Sequence, residues 1–341
     1  MVMMTLSDDT LLSHCRSLAS AGAWGELCRT VQSYLDASLT TPAVASPALV
    51  VLYAEGLMRT GHPQQARAWL AERDGALRLS GDRMAIRRAA NLLGAACLEQ
   101  GDLDAASAVF EDAIELARAD RDDLLLARST NNLAVIATIR GRLPEALGLY
   151  GVVVPAYQRI GNVNGIAESY HNTAITLRKL QRLDQADEHE RRSAEFARQV
   201  NNDHLVALTR VGRAEIFLLK GDPVLAEATA MRAAAELGAV PDPARQADAI
   251  RLCGAARLAL GRLPEAKMAL DRAVAMAVDH GNRLIEAESR WTRAQVTDAQ
   301  GEIDAPLDDA RRAATIFQQL NAPFELNTIA TWLSARGHSL S

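Results

Sequence analysis

The hexapeptide GRLPEA occurs twice in this chain, at residues 141–146 and 261–266. One third of the spacing between the two copies is 40 residues, and this shorter period runs through most of the chain. It is marked by a column of glycines and, five residues further on, by a column of alanines: Gly61, Gly101, Gly141, Gln181, Gly221, Gly261 and Gly301, then Ala66, Ala106, Ala146, Ala186, Ala226, Ala266 and Pro306. A period of this length predicts stacked copies of one supersecondary unit.

Each unit is predicted to contain two helices joined by a short turn. The composition of residues 83–99 predicts a first helix, which ends before Gly101. A second helix is predicted over residues 103–118. A glycine just past a helix closes the last turn in the left-handed conformation. Prolines stand in the first turn of several second helices, where a missing N–H costs nothing: Pro63, Pro144, Pro223 and Pro264. Neither helix can bury its apolar face alone, so the units must stack.

The composition favours an all-α fold. Hydrophobic residues make up 49% of the chain and aromatic residues only 4%, with Ala, Leu and Arg dominant. These three have high helix propensity, whereas a β-fold needs Val, Ile, Thr and aromatic residues in alternation. A β-propeller is excluded because no alternating strands lie between the glycines. A HEAT or armadillo array has a similar period and is the closer alternative.

The residue columns resemble the tetratricopeptide repeat signature. The matching residues in two successive units are Leu93, Gly94, Cys97, Gly101, Ala106, Phe110 and Ala113, then Leu133, Ala134, Gly141, Ala146 and Tyr150. The 40-residue units resemble the long repeats in the sensor regions of large bacterial transcriptional activators. The stretches NNLA at 131–134 and HNTA at 171–174 resemble kinesin-light-chain-type repeats. The resemblance implies a right-handed α-solenoid of about seven to eight antiparallel hairpins, with a concave wall formed by the first helices.

Three parts of one continuous solenoid are predicted. Residues 1–82 form degenerate units, 83–322 the regular array, and 323–341 a capping helix and tail in which Trp332 and Leu333 face inward. A loop is predicted over Leu39–Val50, within which Pro47 fits a helix start.

A ligand groove on the first helices is what the resemblance implies. Residues three or four apart share one helix face, and the candidate contacts are Arg88, Asn91, Arg128, Asn131, Asn132, Glu168, His171, Asn172 and Arg178. Asn can pair with a peptide backbone amide, and Arg can bind carboxylates in a fork. The same columns turn acidic towards Asp248 and Glu288, so an acidic part of the ligand is expected at the earlier units.

Structural explanations of these residues stay open. A charged helix face is often only solvated, and Asn can bridge neighbouring hairpins. His171 is expected to be a packed or solvated residue rather than a catalyst. Trp291 fits either a ligand platform or the core, with the core favoured.

The sequence indicates no catalytic site and no metal or cofactor. It has no phosphate-binding GxxxxGK[ST] loop, no HExxH and no GxSxG. The four cysteines have no CxxC spacing, and the DEHE stretch around His189 is expected to be a solvated helix face. The net charge of −5 argues against direct nucleic-acid binding.

No signal peptide or apolar span is recognisable, so we expect a cytoplasmic protein with a protein or peptide partner, away from membranes. Self-association of exposed hairpin faces is possible. Two functions fit: a non-catalytic scaffold that holds a partner segment, or a ligand-sensing regulator whose curvature changes on binding.

Overall fold

The computed structural model describes residues 8–37, 46–239, 242–320 and 322–339, and these residues form 17 α-helices and no β-strand. The chain divides into two compact units, Met1–Asn162 and Val163–Ser341. Unit 1 contains α1 (Asp8–Ser20), α2 (Trp24–Ala37), α3 (Pro47–Arg59), α4 (Pro63–Ser80), α5 (Arg83–Glu99), α6 (Leu103–Asp120), α7 (Asp123–Ile139) and α8 (Leu143–Arg159). Unit 2 contains α9 (Val163–Lys179), α10 (Leu183–Gln199), α11 (Asp203–Leu219), α12 (Pro223–Gly238), α13 (Pro243–Ala259), α14 (Leu263–Asp279), α15 (Arg283–Ala299), α16 (Asp304–Gln319) and α17 (Pro323–Ser334).

Within each unit, every helix packs against the next helix along the chain, and the first helices of successive hairpins also contact each other. In unit 1 the first helices are α3, α5 and α7, and in unit 2 they are α9, α11, α13 and α15. We call the surfaces that they form the first-helix face of unit 1 and the first-helix face of unit 2. This arrangement confirms the predicted all-α solenoid of stacked helix hairpins.

The GRLPEA hexapeptide is a hairpin turn. Gly141 has φ of +75°, and the N–H of Arg142 donates to the carbonyl of Ala137 at 2.8 Å, which closes the end of α7. α8 starts two residues after this glycine and carries its proline in the first turn. Gly261 repeats this conformation with φ of +72°, and Gln181 adopts it without glycine at φ of +59°.

Small residues let the two helices of a hairpin approach closely. A Cβ added to Gly94 on α5 would lie 2.5 Å from the ring of Phe110 on α6, and one added to Gly254 on α13 would lie 2.6 Å from Leu270 on α14. Phe110 and Leu270 are fully buried. The predicted columns of small residues are therefore packing positions beneath large side chains.

Ion pairs join the start of one second helix to the turn of the next hairpin. Arg67 on α4 donates to Asp102 at 2.8 Å, and Lys220 donates to Asp184 on α10 at 2.5 Å. The same relation holds for Arg140 with Asp104 and for Arg262 with Glu227. Exposed pairs of this kind contribute at most about 1 kcal/mol each, so apolar packing carries most of the stability.

The C-terminal helix α17 packs against α16, where Ile329 and Leu333 are fully buried. Trp332 is half-buried and meets the ring of Trp291 edge to face, with centroids 5.4 Å apart. Trp291 is therefore a core residue of the last hairpins. None of the helices in the described ranges is both long and apolar enough to cross a membrane.

At the other end of the chain, α3 begins at Pro47, as the sequence predicted, and Ser46 caps it. Residues 38–45, most of the predicted loop, lie outside the described residues. The predicted three-part division of the chain stays a prediction.

Candidate binding face

An open cavity of about 490 Å³ lies on the first-helix face of unit 1. It is bounded by α3, α5, α7 and Asp122, the residue before α7. Three of the predicted contacts, Arg88, Asn91 and Arg128, line it. The other lining residues are Glu55, Met84, Arg87, Leu92, Asp122, Leu124 and Leu125. The cavity therefore combines three guanidinium groups with two carboxylates and an apolar floor.

Two of these arginines are paired with acids. Arg88 donates to Glu55 at 2.6 Å, and Arg87 donates to Asp122 at 2.6 Å. Burial alone would raise the pKa of Asp122, but Arg87 and the backbone N–H groups at the start of α7 hold it below its ordinary value. Arg128 is exposed and has no ion pair with any residue that the structure describes. The cavity thus carries one uncompensated positive charge.

Asn91 lines the same cavity and carries a hydrogen-bond acceptor without a partner among the described residues. This acceptor is its buried Oδ1. A buried polar atom without a partner costs about 1–3 kcal/mol. Asn131 and Asn132 lie further along α7, buried and half-buried, and do not line the cavity. The structure therefore joins Asn91 with Arg88 and Arg128 but leaves Asn131 and Asn132 outside that group.

His171, on the first-helix face of unit 2, is backed by a buried carboxyl group. Its Nδ1 lies 2.9 Å from Oε2 of Glu190 on α10. The side chain of His171 is 16% exposed and that of Glu190 is fully buried. Burial raises the pKa of Glu190, although His171, Arg178 and Arg213 act in the opposite direction. The side chain of His171 is therefore mostly buried, and its predicted role as a groove contact stays a prediction.

The remaining predicted contacts in unit 2 differ in their surroundings. Glu168 is exposed and accepts a hydrogen bond from Nδ2 of Asn164 at 2.6 Å. Asn172 is half-buried. Arg178 is paired with Glu215 at 3.0 Å, and its side chain is only 16% exposed. Arg178 is thus neutralised within unit 2, unlike Arg128 in unit 1.

A second buried arginine stabilises the acidic end of these columns. Arg251 on α13 donates to Asp248 at 2.7 Å and lies 3.2 Å from Glu288 on α15. Burial alone would lower the pKa of Arg251, but the carboxylates of Glu288 and Asp248 outweigh it and raise the pKa. Burial and nearby carboxylates raise the pKa of Glu288. The acidic surface expected at this end is therefore partly compensated.

Sequence reasoning missed two features of these faces. Glu55, on α3, lines the cavity and neutralises Arg88, but it belongs to a part of the chain where the repeat signature is weak. Glu190 stands at the position that carries Phe110 and Tyr150 in the two preceding hairpins. A comparison along that column would have identified the acidic residue, because a carboxyl group there replaces an apolar core side chain.

The stacked hairpins and their small-residue columns define an α-solenoid repeat protein. Residues 85–159 and 125–199 match the model of the tetratricopeptide repeat family. Residues 85–199 are therefore similar to tetratricopeptide repeats, and the stacked hairpins on either side of them share the same fold. No protein among those of curated function matches its sequence.

Solved structures with the same fold cover nearly the whole chain. A Rap protein complexed with Competence and Sporulation Factor is similar with a TM-score of 0.64 at 14% identity, over 96% of this chain and 98% of that one. The apo quorum sensor NprR from B. thuringiensis is similar with a TM-score of 0.59 at 12% identity, over 94% and 95%.

A third solved structure is a signal transduction ATPase with numerous domains and a tetratricopeptide repeat sensor, from Pyrococcus horikoshii. It is similar with a TM-score of 0.63 at 12% identity, over 94% of this chain and 48% of that one. The chain therefore spans about half the length of that protein.

Proposed function

We propose that this protein is a non-catalytic adaptor that binds an extended, acidic segment of a partner peptide or protein on the first-helix face of unit 1. The observation that carries the proposal is the 490 Å³ cavity in which an exposed, unpaired Arg128 accompanies the buried, unpaired Oδ1 of Asn91. Among the described residues, Oδ1 of Asn91 lacks a hydrogen-bond partner, and the charge of Arg128 is not neutralised by an acid.

The two groups select complementary parts of a peptide. The guanidinium of Arg128 can donate two parallel hydrogen bonds to a carboxylate of the ligand. Oδ1 of Asn91 can accept a hydrogen bond from a backbone N–H, which every residue except proline provides. Together they favour an acidic side chain beside an extended backbone, with little demand on the rest of the sequence.

The similar solved structures support this proposal. One of them was solved with Competence and Sporulation Factor bound, and another is a quorum sensor. A protein or peptide partner, rather than a substrate, is thus the expected ligand of this chain. The proposal includes a cytoplasmic location, which cell fractionation tests.

A capture experiment tests the adaptor function. The wild-type protein, an Asn91→Ala/Arg128→Gln double variant and an Arg118→Gln control are immobilised, and partners from the native host are identified by mass spectrometry. Arg118 on α6 is also exposed and without an ion pair among the described residues, but it does not line the cavity. We expect the wild type and the control to retain a partner that the double variant loses, at an unchanged melting temperature.

Equal capture by all three proteins would contradict the proposed site. The other asparagines, Asn131, Asn132 and Asn172, are proposed as further contacts. Their combined replacement by Ala is expected to weaken binding of the same partner while the protein stays folded. Unchanged binding would remove them from the site.

A ligand-sensing regulator is the second candidate. It is favoured by the nearly full-length similarity to the quorum sensor NprR. A sensor changes shape when its ligand binds, whereas an adaptor does not. Small-angle scattering of the protein with the captured partner segment distinguishes them, since only the sensor becomes more compact.

A further inference from the structure

The residue at position 190 belongs to a column that is otherwise apolar. Each second helix from α4 to α16 places one residue at this point of the 40-residue period, and all seven are buried: Leu70, Phe110, Tyr150, Glu190, Ala230, Leu270 and Ala310. Glu190 is the one member that carries a charge. Burying a carboxylate costs free energy of desolvation, which an apolar residue at the same position avoids.

The surroundings of Glu190 offer its carboxyl group one hydrogen-bond partner. Oε2 lies 2.9 Å from Nδ1 of His171, while Oε1 is buried without a partner among the described residues. A Cβ added to Gly212 on α11 would lie 2.1 Å from Oε1. A glycine at position 212 thus leaves space for the carboxyl group between α9 and α11. Packing alone does not require this combination, because Leu270 fills the same position without a charge.

We infer that Glu190 is a positioning residue that fixes the ring orientation and tautomer of His171. The inference rests on the proposed binding function in one respect, namely that His171 on the first-helix face of unit 2 is also a ligand contact. With Nδ1–H donating to the carboxylate of Glu190, the proton of the neutral ring is held on Nδ1. Nε2 then carries a lone pair and is the nitrogen left for a ligand.

This arrangement specifies the ligand group that His171 can meet. An Nε2 lone pair accepts a hydrogen bond from an N–H or O–H of the ligand, and it does not donate one to a carboxylate. In unit 2 the histidine would therefore contact a backbone N–H or a hydroxyl group of a ligand.

The test is the tautomer of His171 in the ligand-free, full-length protein, measured from its two ring ¹⁵N resonances at a pH where the ring is neutral. We expect Nδ1 to be protonated and Nε2 to be unprotonated in the wild type. His204, whose Nε2 lies 2.8 Å from Asp242, is an internal reference for the opposite tautomer. An Nε2-protonated ring at position 171 in the wild type would overturn the inference without any variant.

Two variants separate positioning from packing. In Glu190→Leu the side chain is one that other hairpins carry at this position, so packing should be preserved. The hydrogen-bond acceptor for Nδ1 is absent, so the two tautomers of His171 should interconvert and their ring ¹⁵N resonances should average. In Glu190→Gln the amide oxygen still accepts from Nδ1, so the wild-type tautomer should return. An unchanged His171 pattern in Glu190→Leu, with His204 also unchanged, would refute the positioning role.

The outcome is independent of partner capture. If no partner is captured but the tautomer responds as expected, the proposed function fails and the positioning role stands. If a partner is captured but Glu190→Leu leaves the tautomer unchanged, the positioning role fails and the proposed function stands. Should Glu190→Leu not fold, Gly212→Ala provides a second test, because its Cβ displaces the Glu190 carboxyl group and should release the same ring.

Discussion

The hairpin α5–α6 in unit 1 and the hairpin α9–α10 in unit 2 have first helices of the same length, left-handed turns at Gly101 and Gln181, and the same position in the period. They differ in what fills their centre. Phe110 closes the first hairpin as a fully buried ring above Gly94, whereas a buried Glu190 that holds His171 occupies the equivalent place in the second. The repeat determines which position of a hairpin is buried. Whether that position carries an apolar or an ionisable side chain differs from one hairpin to another.

The first-helix faces differ in a related way. In unit 1 Arg128 is exposed and unpaired, whereas in unit 2 Arg178 and Arg251 are mostly buried and paired with acids. A charge that is already paired contributes little to an external ligand, because the ligand must replace the internal partner. The comparison therefore supports the proposal that an acidic ligand binds unit 1 rather than unit 2.

The largest effect is expected at the aromatic centre of the first hairpin. Phe110→Ala removes a fully buried ring and should lower the free energy of unfolding by about 3–5 kcal/mol. Denaturant unfolding followed by circular dichroism measures the change. A decrease in the free energy of unfolding below about 1 kcal/mol would contradict the view that Phe110 is the packed centre of the hairpin α5–α6.

The buried arginine of unit 2 should show the next largest effect. Arg251→Gln leaves the carboxylates of Asp248 and Glu288 without their shared cation, which should destabilise the protein by about 3 kcal/mol. The loss should decrease at acid pH as Glu288, whose pKa burial raises, becomes protonated. Thermal unfolding of the variant and the wild type over a pH series checks both statements. A loss that stays constant at all pH values would exclude the electrostatic cause.

Replacement of the buried carboxyl group of Glu190 should change the free energy of unfolding in the opposite direction and stabilise the protein. Glu190→Leu is expected to raise the free energy of unfolding at about pH 7 by about 1–3 kcal/mol, because an apolar side chain avoids the desolvation cost and leaves a histidine that can be neutral. Denaturant unfolding at two or more pH values provides the measurement. A destabilised variant at neutral pH would show that the Glu190–His171 pair contributes net stability.

The pH dependence of that gain follows from the raised pKa of Glu190. The folded state binds the proton more tightly than the unfolded chain, so the stabilisation by the protonated form is present below the ordinary value of 4.5 and is lost as the pH rises through the folded pKa. His171, Arg178 and Arg213 face the carboxyl group and limit the change. The advantage of Glu190→Leu should therefore grow as the pH rises from 4.5 through the raised folded pKa of Glu190.

The smallest effect on stability is expected at the unpaired arginine of unit 1. Arg128→Gln removes an exposed side chain without an acidic partner among the described residues, so the free energy of unfolding should change by less than about 0.5 kcal/mol. Partner binding should weaken in the same variant and should lose much of its salt dependence. A stability loss as large as that of Arg251→Gln would show that the faces of the two units are not distinct.

The sequence predicted the scaffold in detail because the requirements of a hairpin are local. A left-handed residue such as Gly141, a proline in the next first turn and small residues at the crossing are each specified by a few neighbouring positions. The candidate face was predicted as a set of columns, and Arg88, Asn91 and Arg128 do share a cavity.

Pairing between hairpins could not be predicted in the same way. Whether Arg128 stays unpaired while Arg178 meets Glu215 depends on side-chain geometry across two helices, which no single column contains. Glu190 was assigned wrongly for a different reason. The DEHE stretch at residues 187–190 was expected to be a solvated helix face, but Asp187 and Glu190, three residues apart, share the buried side of α10, and only Glu188 is exposed.

The ion pairs between successive hairpins have a consequence for how the protein folds. Arg67–Asp102 and Lys220–Asp184 join residues 35 and 36 positions apart, and within each unit each helix contacts the next one along the chain while the first helices also contact one another. Contacts of such short range give a low contact order, which is associated with fast folding. Folding can then begin at any hairpin, and within each unit amide hydrogen exchange should be fastest at the terminal hairpins and slowest where a hairpin has neighbours on both sides.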